Sequence, residues 1–347
     1  MREAMDPFAD DIVKELFQKG FNPMVEQSYA NLIYNHQAIP AEFPPLLKEY
    51  FRSLEHIDDA FIKHAQPGSK VFQKHAPDLM TMLGLLSLPY CYASGHGVQV
   101  LYLSERIRNN PAKRLLETAA FVLDVCHPQA FDPEGKAFRS IAKVRLMHAA
   151  IRYHILHSKL WDRKWGMPIN QEDMAGTNLS FSLIAIRGLR KLGHNISPEQ
   201  AHDFIQLWNA IGYNLGVQRE LLPANNREAF FLEKQISGRG FCPTEEGKSL
   251  TRTLINHMMS ETKGKVPIEA VMHHLLGEEV ADNLGVKENG KGKSLIWFVK
   301  IMNGLKSLKV NDNAYLESLA SYESQRQKLE NAGIQLKPFR ILKELRD

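Results

Sequence analysis

The sequence predicts an all-α protein built as a single large helical domain. Three observations predict it. Apolar residues recur at the three-to-four-residue spacing of a helix face through most of the chain. Alternating apolar and polar runs bounded by hairpin turns, the mark of strands, are nearly absent. No internal repeat or low-complexity tract divides the 347 residues, and the most linker-like stretch, KENGKGK at 287–293, is short.

The elements follow in order. Residues 1–45 read as an N-terminal arm, with a short amphipathic helix at 8–19 and then a proline-punctuated stretch; residues 46–347 form the main domain. A helix at 45–64 follows PAEFPPL. The most apolar run, DLMTMLGLLSLPYCYASGHGVQVLYL at 78–103, is interrupted by Pro89, Gly95, His96 and Gly97. It reads as a buried helix, a break and a second buried segment, because a bilayer span needs about twenty uninterrupted apolar residues. Asn110 is a natural N-cap and Pro111 suits a first helical position, so a helix runs to about Val125. The next covers 137–158. Asn170 caps a helix with Glu172 and Asp173 in its first turn, Arg187, Arg190 and Lys191 near its end, and Gly193 as its stop. Ser197, Pro198 and Gln200 form a capping-box pattern for another. Further helices are expected at 243–260, 267–284, 293–308 and 312–331, before a charged tail.

Composition narrows the function. Hydrophobic content is 44% and charged content 24%, ordinary for a water-soluble globular protein. The net charge of +4 comes without a long Lys/Arg block, so no nucleic-acid partner is expected. Cys91, Cys126 and Cys242 are odd in number and form no CxxC pair, which fits a reducing cytoplasm. The start, MREAMDPFADDIVKELF, is acidic rather than basic-then-apolar, and the expectation is a cytoplasmic protein with no membrane span. The phosphate loop GxxxxGK[ST], the GxSxG elbow, the HExxH zinc pair and a GxGxxG set between strand and helix are all missing. Chemistry is therefore expected from side chains projecting between helices.

The stretch VRLMHAAIRYHILHSKLW at 144–161 carries the densest signal. Arg145, His148 and Arg152 stand at i, i+3 and i+7, on one helix face beside the apolar stripe Val144, Met147, Ile151 and Ile155. Two guanidinium groups and partial burial favour neutral imidazole, which is a metal ligand. The arginines suit a dianion close to that metal. A haem meets both demands, its iron taking an axial histidine and its propionates taking arginines. The plain alternative is a core histidine bonded to a carbonyl, with arginines paired to local carboxylates. His154 and His157 lack a third ligand and read as a partly exposed pair. On the preceding helix Arg114 and Thr118 share a face, next to small Ala119 and Ala120, and a guanidinium and a hydroxyl there would stabilise bound dioxygen. An ordinary threonine and a solvated arginine are the alternative.

Arg114-Leu-Leu-Glu-Thr118, Val-Arg145-Leu-Met-His148-Ala-Ala-Ile-Arg152, and Trp165-Gly-Met-Pro-Ile-Asn-Gln-Glu-Asp-Met with Phe181 together resemble the catalytic domain of the MpaB and latex clearing protein (rubber oxygenase) family. The thirty-residue step from Thr118 to His148 and the downstream pattern LGHNISPEQ…W…GY…LGV…LP extend the resemblance over roughly 60–225. It implies a globin-like core holding haem b, with His148 as proximal iron ligand, Arg145 and Arg152 supporting the haem, and Arg114 and Thr118 on the distal side. It implies addition of dioxygen across an isoprenoid double bond and cleavage to carbonyl products. Two departures stand out. Glu117 occupies the place of a distal lysine, and the place of an upstream acidic base falls near Val98, leaving Glu117 or His96 as acid–base candidates. The expectation is a haem-dependent oxygenase acting on an apolar unsaturated, isoprenoid or lipid-like substrate. The alternatives are a haem-binding gas sensor or carrier, and a haem-free helical scaffold. Asn170, Gln171 and Asp173 are accounted for as helix caps.

Overall fold

The structure is a computed structural model that describes residues 1–19, 23–54, 59–288, 292, 294, 296–297, 299–300, 303, 313–334, 336 and 341. The all-α expectation is met: among the described residues the sole extended pairing is an isolated bridge between Ser94 and Phe241. The helices are α1 (Pro7–Lys19), α2 (Pro23–Asn31), α3 (Pro45–Ser53), α4 (Asp59–Met82), α5 (Leu88–Tyr92), α6 (Gly97–Leu103), α7 (Arg106–Asn109), α8 (Pro111–Cys126) and α9 (Ala137–His157). They continue as α10 (Gln171–Leu179), α11 (Ala185–Lys191), α12 (Pro198–Asn214), α13 (Asn226–Gly240), α14 (Glu245–Glu261), α15 (Ile268–Leu276), α16 (Glu278–Asn283) and α17 (Ala314–Asn331).

Caps decide most boundaries. Asn110 Oδ1 accepts the Lys113 amide at 2.9 Å and Pro111 opens α8. Ser197 and Gln200 form the full reciprocal capping box at the start of α12. The expected helix at 267–284 is broken into α15 and α16 at Gly277, whose φ of 85° only glycine adopts without strain. The expected helix at 45–64 stops at Ser53, and residues 55–58 lie outside the described residues. The expected helix at 293–308 lies largely outside them, as does part of KENGKGK. Helix α13 was not expected; its sequence NREAFFLEKQISGRG has little apolar periodicity and buries only Ala229 and Glu233.

α4 runs through Pro67 and Pro77 and kinks at His75. It packs along α12, where Gly68 lets the backbones close: a Cβ there would sit 2.4 Å from the Asp203 carbonyl oxygen. π-helical turns at Leu83–Ser87 and Ser180–Ile184 interrupt two helical runs and face one another, with Ser87 Oγ donating to the Ser180 carbonyl at 2.8 Å. The break expected in the apolar run falls at 93–96, between α5 and α6.

The N-terminal arm packs on α9. Arg139 donates to the Asn35 and Gln37 carbonyls at 3.0 and 2.7 Å, and Lys143 to the Ala30 carbonyl at 3.3 Å. Tyr50, fully buried on α3, donates back to the Ala142 carbonyl at 2.8 Å. No described helix is long and apolar enough to cross a membrane.

Candidate active site

α8 and α9 pack against each other and line one side of a cavity of about 250 Å³. The N-cap at Asn110 sets the phase of α8 so that Arg114, Glu117, Thr118 and Phe121, at i, i+3, i+4 and i+7, all face it. α9 presents Val144, Met147, His148 and Ile151 at the same spacing. Leu88, Val100, Phe181, Trp208, Leu215 and Val217 add apolar wall from other elements. The sequence-derived candidates Arg114, Glu117, Thr118 and His148 thus meet in one place.

His148 is the cavity's neutral imidazole. Burial, then the nearby Arg152 and Arg114 guanidinium groups, push its pKa down to about 3. Its Nδ1 is buried with no hydrogen-bond partner among the described residues. Arg114 stands 4.0 Å from Glu117, a loose pair one turn apart. Thr118 Oγ1 donates to the Arg114 carbonyl at 3.0 Å, so its proton is committed to its own helix and it offers lone pairs to the cavity. Thr118, expected beside Arg114 as a donor to bound dioxygen, thus spends its proton within α8, while Arg114 lines the cavity.

Arg145 and Arg152, expected to support a haem beside His148, reach the N-terminal arm. Neither lines the cavity. Arg145 makes a bidentate pair with Asp6, at 2.5 and 2.7 Å, and donates to the Asn214 carbonyl at 3.2 Å. Arg152 donates through Nε to Asp10 at 2.6 Å. The two arginines share a face of α9 as expected, but the carboxylates they meet lie 139 and 142 residues away in the arm. The terminal nitrogens of Arg152 are buried without a partner among the described residues, and its charge helps to keep His148 neutral.

Three cavity groups carry chemistry that the sequence reading did not assign. Asp173, on the first turn of α10, has its pKa pushed up to about 7 by burial, with Glu172 adding to the rise and Arg2 and the Asn170 hydrogen bond opposing it. Asn170 accepts the Asp173 amide at 3.0 Å and donates through Nδ2 to Asp173 Oδ2 at 2.8 Å. Arg2 reaches the cavity from the arm and donates to the Trp165 carbonyl at 2.8 Å. Glu233, buried on α13, accepts from the Tyr90 hydroxyl at 2.5 Å and from Arg187 at 2.7 Å. Burial alone would raise the Glu233 carboxyl, but those two donors hold it below its ordinary value. The capping role of Asp173 is real, and it concealed the cavity role; Glu233 gave no signal because α13 itself was not legible. His96, the other acid–base candidate, also lines the cavity, and burial, then Arg2 and Lys164, lower its pKa.

Tested against a haem, these residues fit. A neutral imidazole with no hydrogen-bond partner at Nδ1 among the described residues faces a largely apolar cavity, and a cation stands on the neighbouring helix. Such a donor set suits an iron macrocycle. No described group of three or more His, Cys, Asp or Glu could hold a bare metal ion.

Comparison with known proteins shows the family and the fold. The family described as ER-bound oxygenase mpaB/B′/rubber oxygenase, catalytic domain, matches residues 79–304. A rubber oxygenase of Streptomyces sp. (strain K30) is 26% identical over 287 residues, covering 81% of this chain and 70% of its own. Latex clearing protein LCP in the closed state shares the fold, with a TM-score of 0.77 at 21% identity over 96% of this chain and 92% of that one.

Proposed function

The chain belongs to the MpaB and rubber oxygenase catalytic-domain family and is an oxygenase; from that premise we propose that it is a haem b-dependent oxygenase that adds dioxygen to an apolar unsaturated chain of the isoprenoid or lipid type. The observation that carries the reading is the convergence of neutral His148 with Arg114, Glu117 and Thr118 on one apolar cavity. His148 would hold the iron, and Val144, Met147 and Ile151 would pack beside the macrocycle. When bound, haem supplies the redox-active iron that dioxygen needs to react with a closed-shell alkene. The chain's own residues do the rest. Arg114 offers a fixed positive charge where oxygen develops negative charge. The apolar wall excludes water and holds the unsaturated chain. Arg145 and Arg152, locked to Asp6 and Asp10, hold α9 so that His148 faces inward.

An absorption spectrum with a pyridine haemochrome assay, run beside His148→Ala, tests this. A Soret band in the wild type that is lost or strongly shifted in the variant is the expected result. A colourless wild type from haem-supplemented cells would refute it.

A further inference from the structure

We propose that the corner of the cavity between α6 and α10 is a hydroxyl-binding site, so that the substrate is an unsaturated apolar chain ending in an alcohol rather than a bare hydrocarbon. This rests on the reading of the cavity as the substrate site.

The corner is built around a missing side chain. α6 opens at Gly97, and a Cβ placed there would lie 3.0 Å from Ser94 Oγ and 3.1 Å from Asp173 Oδ1. Both oxygens therefore approach the same bare stretch of backbone, and Ser94, Gly97 and Asp173 all line the cavity. The turn that carries Ser94 is tied down: the Gly95 amide donates to the Gly240 carbonyl at 2.9 Å and the Cys242 amide to the Ala93 carbonyl at 3.2 Å.

The hydrogen-bonding capacity left over there matches an alcohol. Asp173 Oδ2 is held by Asn170, while no described donor reaches Oδ1. Ser94 Oγ accepts a long bond from the Gly97 amide at 3.3 Å, and no described acceptor takes its proton. With Asp173 ionised, above about pH 7, the corner thus offers one acceptor and one donor. A hydroxyl uses both. An ether or ketone uses only the donor, a hydrocarbon neither. The corner mixes the carboxyls of Asp173 and Glu172 with the Arg2 guanidinium, so a charged head of either sign meets a like charge as well as an opposite one, and a neutral hydroxyl meets no repulsion. Val100, Phe121, Phe181 and Trp208 leave apolar wall for the chain.

Calorimetric titration with farnesol and with farnesene tests the site. Wild type is expected to bind farnesol about tenfold more tightly than farnesene, the size of one well-placed hydrogen bond pair. Asp173→Ala and, separately, Ser94→Ala are expected to bring farnesol down to the farnesene level. Equal binding in wild type, binding of neither ligand, or a preference that survives both substitutions would overturn the proposal; so would tighter binding of farnesoic acid, which would make the corner an anion site. The Soret band of the same samples separates the two readings. A colourless protein that still prefers farnesol refutes the haem and keeps the hydroxyl site, and a haem-loaded protein without the preference does the reverse.

Discussion

His148 and Asp173 line the same cavity, and burial moves them in opposite directions because it always disfavours the charged form. For Asp173 the consequence is a stability that depends on pH. Its folded pKa of about 7 lies above the ordinary 3.8, so its contribution is complete below 3.8 and is lost as pH rises through 7. Asp173→Asn cannot ionise. It is expected to match wild type near pH 4 and to unfold at a higher urea concentration near pH 8, by about 1–3 kcal/mol after allowing for the group's access to the cavity. Equal midpoints at both pH values would show that Asp173 is solvated. Residue identity was the most legible level. Arg114, Glu117, Thr118 and His148 all line the cavity, because i, i+3 and i+4 spacing fixes a helix face before any packing is known. Asp173 was not legible, because a residue three positions after Asn170 is fully explained by capping until the opposite wall is seen.

At the scale of elements, α9 works on two faces. One, with Val144, Met147, His148 and Ile151, lines the cavity; the other adjoins it beside His148, as the i, i+3 and i+7 spacing requires, and sets Arg145 and Arg152 under α1 and the residues before it. Asp6 is nearly inaccessible at 4% exposure, and Arg145 is 12% exposed. Asp6→Ala would strand a buried guanidinium, and a loss of about 3–5 kcal/mol in urea unfolding is expected. Replacing both partners, as Asp6→Leu with Arg145→Met, is expected to recover most of it, since no lone charge remains. An Asp6→Ala protein as stable as wild type would show that the pair is solvated. Helix starts were well read from Asn110, Asn170 and Ser197, because a side-chain cap is a local event. The π-helical turns at Leu83–Ser87 and Ser180–Ile184 were not, because they answer to each other across the core.

At the scale of the molecule, the arm and the domain form one structure. Arg139, Lys143, Arg145 and Arg152 are four basic side chains of α9, and each reaches a carbonyl or carboxylate in residues 1–45. Arg139, Lys143 and Arg152 are buried. Burial is the main cause that pulls Lys143 down to about 8, with Asp124 opposing the fall and Arg139 adding to it. Removing residues 1–45 would take the partners from these cations and open to water the apolar surface that Ile12, Val13 and Leu16 now bury. That loss is large against the about 5–15 kcal/mol that stabilises an ordinary domain. The shortened chain is expected to lose its cooperative thermal transition by circular dichroism. A sharp transition near the wild-type temperature would instead mark residues 46–347 as an independent unit.

By itself the sequence determined the all-α class, the caps that start the main helices, and the shared face that turns His148, Arg114, Glu117 and Thr118 to one side. These depend on periods and contacts within about four residues, which any reader of the chain can count. Tertiary structure alone decided what those faces meet. It gave Arg145 and Arg152 to Asp6 and Asp10, turned the Thr118 proton back to its own helix, and set Asp173 against Gly97 and Ser94. Partners more than a hundred residues apart leave no periodic trace, and whether a carboxyl caps a helix in water or faces a dry cavity depends on the wall that packs against it.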